Sequence, residues 1–428
     1  MTENNKFGLS RNRLFESSRV AFYGEYEPFD KKEVLKAFKM LCEKEPLISS
    51  NVSLDENGDA FVNTGAVEQN LFFEECADSY EFYKEKQGEM LFPFSSLFEF
   101  YIVNEKSLLI FANPAAADVK SLYILAGEFI SFYNKSLLDV AKKNIFLYSQ
   151  KKDIPVNVNS IIIDKVSSDL EMKWQKHPKS FGSDDYKNLY ECVKKRKTSD
   201  FSFELNENET NGIREKCSQK KIDFCSLCCY AFKKTFLEYF KGNNKYKNVG
   251  VLADLRLYED EPSKYGVGPF GARVNVMKYH GRKNAGKDEI QLFHEEYLKK
   301  VANPFHAYYD NLILMNLSPF YCDAAHFYEN GIYKKKSAKK LVNGYGCRDK
   351  RVMSFDFYNL DSEVWQKLGC FSFVDASEAN SGKYDFEVRV FVNKGSAEFR
   401  ITCNKEKCDE EKLKLICEKS VDIIKTLK

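Results

Sequence analysis

Hydrophobic residues recur along this chain with the periods of strands and of helices, and the two periods alternate. Residues 19–29, RVAFYGEYEPF, have the aromatic and β-branched content of a strand. The following DKKEVLKAFKMLCEKEP places Val34, Leu35, Phe38, Leu41 and Cys42 at helical spacing. Asp30 stands where it can cap that helix, and Pro46 ends it. SNVSLDENGDAFV reads as a hairpin turning at Glu56, Asn57, Gly58 and Asp59. After a charged stretch, FEFYIVNEKSLLIFAN reads as two strands turning at Asn104 to Lys106. ADVKSLYILAGEFISFYNKSL then reads as an amphipathic helix with Leu122, Leu125, Phe129 and Phe132 on one face.

The polar stretch QKKDIPVNVNSI at 150–161, with Pro155, predicts a boundary and hence units of 1–155 and 156–428. Beyond it, DDYKNLYECVKKRK predicts a solvated helix and DFCSLCCYAFKKTFLEYF a second one. KNVGVLADLRLY and ARVNVMKY predict strands, and DEIQLFHEEYLKKV a helix. RVMSFDFYNL, KYDFEVRVFVN and SAEFRITCN predict three more strands before a last helix in DEEKLKLICEKSVDIIKTL. Strands alternate with helices in both halves, which predicts two α/β layers of similar plan.

Composition narrows the class. At 428 residues the chain exceeds one ordinary core, and 43% hydrophobic with 15% aromatic residues makes it globular. The 65 basic and 63 acidic residues nearly cancel, so charge gives no nucleic-acid footprint and no general membrane attraction. No apolar run is long enough to span a membrane, and the polar start MTENNKFGLSRNRLF lacks a signal-peptide core; both predict a cytoplasmic protein. The 13 cysteines are odd in number and scattered, as reduced thiols are.

Candidate chemistry is sparse. YGVGPFG carries the glycine spacing of a dinucleotide fingerprint at Gly266, Gly268 and Gly271, but the strand-like ARVNVMKY follows where a helix must begin, so it reads as a tight loop. CSLCC offers Cys225, Cys228 and Cys229 without a convincing second pair, since CNKEKC with Cys403 and Cys408 is distant. These thiols read as core packing, with no metal. Of five histidines, His306 has Asp310 four positions on, a spacing that lets a carboxylate orient an imidazole. His177, His280, His294 and His326 read as surface residues. KKKSAKK at 334–340 reads as a solvated loop.

NPAAADVKSLYILAGEF, at 113–129, follows a strand with a small-residue turn, an aspartate and an amphipathic helix. In that order the chain resembles the condensation-domain and alcohol acetyltransferase-like branch of the coenzyme A-dependent acyltransferase superfamily. That branch carries His-His-x-x-x-Asp-Gly at this turn, and Asn113 to Val119 align with it here. SSRVAFYGEYEPFDKKEVLKAFKMLCEKEPLI is similar to the family's first strand and helix. VGVLADLRLYEDEPSKYGVGPFGARVNV is similar to its strand ending in arginine, and FDFYNLDS, with Asn359, to a later strand.

The resemblance implies an α/β fold of two chloramphenicol acetyltransferase-like lobes, each a mixed β-sheet flanked by helices, with a cleft or tunnel between them. It puts the family's general base at Pro114 and makes Asp118 a structural aspartate paired with Arg256, or else with Arg19. Asn113, Pro114 and Ser121 line or flank the turn. Proline has no proton acceptor and the amide of Asn113 is not basic, so the usual mechanism is crippled while the fold survives.

The resemblance implies no bound cofactor. An acyl-coenzyme A or phosphopantetheine-linked thioester is the expected co-substrate, an acyl or peptidyl carrier protein the expected partner, and a small molecule the acceptor of a monomeric protein. Three readings follow. One is acyl transfer without the histidine, for which an amine acceptor suits better than an alcohol, with Asn113 orienting the acceptor. The second is a pseudoenzyme that binds a ligand or carrier protein. The third moves the base to His306.

Overall fold

The computed structural model describes residues 6–427 except 17–18, 137–140, 146, 149, 156–159, 194–197, 241–247, 260–265, 278–287, 345–352, 360–369, 379–385 and 405–407. In chain order the first half forms β1 (Val20–Glu25), α1 (Lys31–Lys44), β2 (Asn51–Leu54), β3 (Ala60–Asn63), β4 (Leu71–Glu74), α2 (Ser79–Gln87), β5 (Phe98–Val103), β6 (Ser107–Ala112) and α3 (Val119–Tyr133). Helices α4 (Ser160–Trp174) and α5 (Ser183–Val193) follow, then β7 (Thr198–Leu205), α6 (Glu207–Gln219), α7 (Phe224–Tyr239), β8 (Asn248–Asp254) and β9 (Gly271–Met277). Next come α8 (Glu289–Val301), α9 (Pro304–Met315), α10 (Pro319–Glu329) and α11 (Lys336–Gly344). The chain ends with β10 (Met353–Asn359), β11 (Phe373–Glu378), β12 (Phe386–Asn393), β13 (Ser396–Asn404) and α12 (Glu410–Lys425).

Local chemistry explains the first elements. Asp30 caps α1 by accepting from the backbone N–H groups of Lys32 and Glu33 at 2.9 and 3.0 Å. Gly58 turns the β2–β3 hairpin with φ of +80°, and Asn104 and Glu105 turn β5 into β6 with φ of 52° and 57°. Pairing β5 with β6 places Phe98 opposite Ala112, so the central strand β6 ends there and the chain leads into Asn113.

Two mixed sheets result. One has the order β11-β1-β6-β5-β4 and the other β7-β13-β12-β10-β8-β9, while β2 and β3 form a separate ribbon. A large core lies between the first sheet and α1 and α3, and it continues through Leu170 and Trp174 of α4, Tyr186 and Leu189 of α5, and residues of α9 to α11. A second core joins the other sheet to α7, α8 and α12. A small aromatic cluster around Tyr23, Tyr83 and Phe111 seats α2 on the opposite face of the first sheet.

A cut between residues 155 and 156 does not follow the sheets. β11 comes from the C-terminal half yet pairs with β1 along its whole length, Val20 opposite Glu378 through Glu25 opposite Phe373. Helices α4 and α5 likewise share the first core, and β4, α2, α4, β7, α6, α9, α10 and β11 are elements that the sequence pattern does not predict. α5 is less solvated than its charges predict, because Tyr186 and Leu189 are buried.

Candidate functional site

The turn Asn113–Asp118 between β6 and α3 is buried throughout. Its three alanines are fully buried, so only methyl groups fit there. The amide of Asn113 is committed to the backbone. Its nitrogen donates to the Leu14 and Leu91 carbonyls at 3.0 and 3.3 Å, and its oxygen accepts from the Ala115 N–H at 3.0 Å. Both donor protons of the amide are thereby occupied. From the N-terminal segment, Ser10 adds a hydroxyl donated to the Ala115 carbonyl at 2.8 Å.

Asp118 caps α3, accepting from the Ser121 N–H at 2.9 Å. Arg256, in the short 3-10 turn that follows β8, grips the same carboxylate through both terminal guanidinium nitrogens, Nη1 to Oδ2 at 2.7 Å and Nη2 to Oδ1 at 2.9 Å. The guanidinium also reaches Asp254 at 3.2 Å and the Gly266 carbonyl at 3.1 Å, and it lies 4.2 Å from the centre of the Phe270 ring. Burial alone raises the Asp118 pKa. Arg256 and the Ser121 hydrogen bonds outweigh it and hold the carboxyl below its usual range. Burial likewise lowers the Arg256 pKa, but Asp118 and Asp254 outweigh it and raise the net value.

Ser121 completes the seam. Its hydroxyl lies 2.7 Å from Asp118 Oδ1, 2.9 Å from the Gly268 carbonyl and 2.8 Å from Arg256 Nη2. The Asp118 N–H donates to the same Gly268 carbonyl at 3.1 Å. YGVGPFG is therefore a backbone contact for the turn. A Cβ built on Gly271, the first residue of β9, would meet Leu252 Cδ1 at 3.3 Å and the Asp118 Cβ at 3.4 Å, so the strand starts in contact with the turn.

The remaining sequence candidates sit elsewhere. Arg19 turns away from Asp118, donating to the Glu89 and Met90 carbonyls at 2.6 and 3.3 Å over the Phe111 ring. Asn359 ends β10 at the surface. His306 faces Lys300 Nζ at 3.3 Å, and burial followed by that lysine lowers its pKa. His177 is exposed, and His280 lies outside the described residues. His326 and His294 are not surface residues. His326 is 3% exposed and donates from Nε2 to the Asn12 carbonyl at 2.6 Å, while His294 lies 2.9 Å from Ser226 Oγ. Their partners come from distant segments, so local polarity misplaced them.

Cys228 and Cys229 are fully buried on α7, and burial pushes the Cys229 thiol up to about 12. No group of three potential metal ligands occurs among the described residues. Of KKKSAKK, Lys336 onward belongs to α11, which buries Ala338 and Leu341 and leaves Lys336, Lys339 and Lys340 in solvent. Sequence reasoning missed Ser10, Leu14 and Gly268 as contacts of the turn. The glycine density at 266–271 was a local signal for Gly268, whereas Ser10 and Leu14 carried none.

This arrangement braces the two halves, because both charges of the Asp118–Arg256 pair are engaged with each other and with neutral donors and acceptors. It offers no proton acceptor at positions 113 and 114, and the Asp118 carboxylate is held by Arg256 and Ser121. No protein-family model matches the sequence, and no curated protein matches it. Solved structures do match its fold. The condensation domain of the Monacolin K polyketide synthase MokA superposes with a TM-score of 0.68 at 11% identity, covering 98% of this chain and 96% of that one. Trichothecene 15-O-acetyltransferase TRI3 from Fusarium sporotrichioides gives 0.62 at 11% identity, over 99% and 95% of the two chains. The epimerization domain from the third module of tyrocidine synthetase B gives 0.61 at 12% identity, over 98% and 93%. The chain therefore has the two-lobed α/β fold of condensation domains and related acyltransferases. Among the described residues, no helix is long and apolar enough to cross a membrane.

Proposed function

We propose that this protein uses the acyltransferase-like fold as a binding scaffold and does not run histidine-dependent acyl transfer. One observation carries the reading: the turn that the resemblance aligns with the family's histidines holds Pro114 and a buried Asn113 whose amide is committed to Leu14, Leu91 and Ala115. An amide so held neither accepts a proton nor swings to meet an acceptor. Loss of a general base removes about 10² to 10⁴ in rate, whereas the Asp118–Arg256 brace that supports the lobes is intact. The ligand we assign is an acyl thioester, presented by coenzyme A or by the phosphopantetheine arm of a carrier protein. The likeness to synthetase domains supports this class.

The test is thioester consumption with a panel of acyl-coenzyme A donors and mixed amine and alcohol acceptors, alongside acyl-coenzyme A binding by calorimetry. Saturable binding without turnover is expected, with activity appearing in Pro114→His. Turnover by the native protein with an amine acceptor overturns the proposal and makes it a histidine-independent acyltransferase.

A further inference from the structure

A charged surface lies outside the turn, where the end of α4 meets α11. A buried stack joins the two segments. Trp174 on α4 stacks on Tyr321 of α10 with 4.9 Å between ring centres, and the Tyr321 hydroxyl donates to the Ser337 carbonyl of α11 at 3.3 Å. The segments then run antiparallel. At one end Lys179 lies over the Tyr333 ring, 5.6 Å from its centre, and at the other the ammonium groups of Lys173 and Lys340 face each other. This pairing sets Lys173, Lys176 and Lys179 beside the five lysines of residues 334–340, all of them exposed.

Two ammonium groups in contact repel, and Lys173, ahead of desolvation, lowers the Lys340 pKa. Acidic relief is thin. Asp169 acts on Lys340 and Asp185 lies 3.8 Å from Lys179, whereas Glu171 is taken by the Ser318 N–H at 2.9 Å and by Gln175. Lys176, Lys334, Lys335, Lys336 and Lys339 have no carboxylate partner among the described residues. Charge that nearly cancels over the whole chain is therefore segregated here. Apolar tips adjoin the lysines. On α4, Ile161, Lys165, Ser168 and Met172 follow at intervals of four, three and four and share the solvent side, with Ile161 75% and Met172 61% exposed.

The residue types select the partner. Protein interfaces favour aromatic residues and arginine and deplete lysine, and single-stranded nucleic acid needs aromatic platforms. Here Trp174, Tyr321 and Phe181 are buried, Tyr333 sits beneath Lys179, and residues 160–180 and 333–344 hold no arginine. Lysines mixed with aliphatic tips suit a bilayer interface, where ammonium groups meet anionic headgroups and apolar tips enter the acyl boundary.

We infer that the surface formed by α4, residues 175–179 and α11 docks reversibly on an anionic phospholipid membrane, its lysines on the headgroups and Ile161 and Met172 at the acyl boundary. The inference goes beyond the scaffold reading and depends neither on the turn at Asn113 nor on thioester binding.

The test is flotation of the full chain with vesicles of equimolar phosphatidylserine and phosphatidylcholine, against vesicles of phosphatidylcholine alone. Binding to the mixed vesicles only is expected, weakening as salt is added. The triple variant Lys335→Gln, Lys336→Gln, Lys339→Gln should bind more than about tenfold weaker at an unaltered melting temperature. Ile161→Ser with Met172→Ser should weaken binding about threefold or more with every lysine in place, which attraction between charges alone would not produce. A single-stranded oligonucleotide and poly-glutamate provide the competing partners. No binding to mixed vesicles, equal binding to both vesicles, or native affinity in either variant overturns the inference. So does capture of the oligonucleotide or poly-glutamate without the vesicles, which makes the partner another macromolecule.

Discussion

Asp118 does three things at once: it caps α3 through the Ser121 N–H, accepts from the Ser121 hydroxyl and receives both arms of Arg256. Replacing it by asparagine leaves a buried guanidinium without its counter-charge. Asp118→Asn should cost on the order of 3 kcal/mol in urea denaturation. An unchanged midpoint would remove the pairing argument. The pH dependence has a definite sign. The folded carboxyl is held below its unfolded value, so its stabilisation is complete above about pH 4 and is lost as pH falls through the folded pKa. Acid unfolding of Asp118→Asn should therefore be shallower than that of the native protein below about pH 4.

Among elements, β11 matters most for its length. Its six residues close the first sheet along β1, and Phe371 just before it packs its ring edge to face against Phe22, 5.6 Å between centroids. Gly24 in β1 leaves room for that ring: an added Cβ would lie 2.6 Å from Phe371 Cδ1 and 2.9 Å from Phe22 Cζ. Gly24→Ala should therefore push Phe371 off the strand and cost about 1 to 3 kcal/mol, read as a lower melting temperature. No change would mean the seam repacks freely.

The two halves form one molecule in which each completes the other. The first sheet takes a strand from residues 373–378, the first core takes α4, α5 and α9 to α11, and Asp118 takes its counter-ion from residue 256. The N-terminal segment is tied the same way. Arg11 donates through two nitrogens to Asp323 on α10, both at 2.9 Å, and Tyr186 adds a third bond at 2.7 Å. A fragment of residues 1–155 should consequently show no cooperative melt by circular dichroism. A sharp transition in that fragment would establish an independent first unit.

Periodicity alone determined most strands and helices that carry their own signal, including β1, α1, the two hairpins, α3, α7 and α12. Those elements are set by residues within a few positions of each other, as at the Asp30 cap and the Asn104 turn. The order of motifs also determined the fold class and the pairing candidates Asp118 and Arg256. What only the tertiary structure decided is where distant segments meet. Nothing local to residues 373–378 says that they join β1, and nothing local to His326 says that Asn12 waits for its proton. Likewise, Asn113 is spelled out in the sequence, but its unavailability is a property of Leu14 and Leu91, which reach it only after folding.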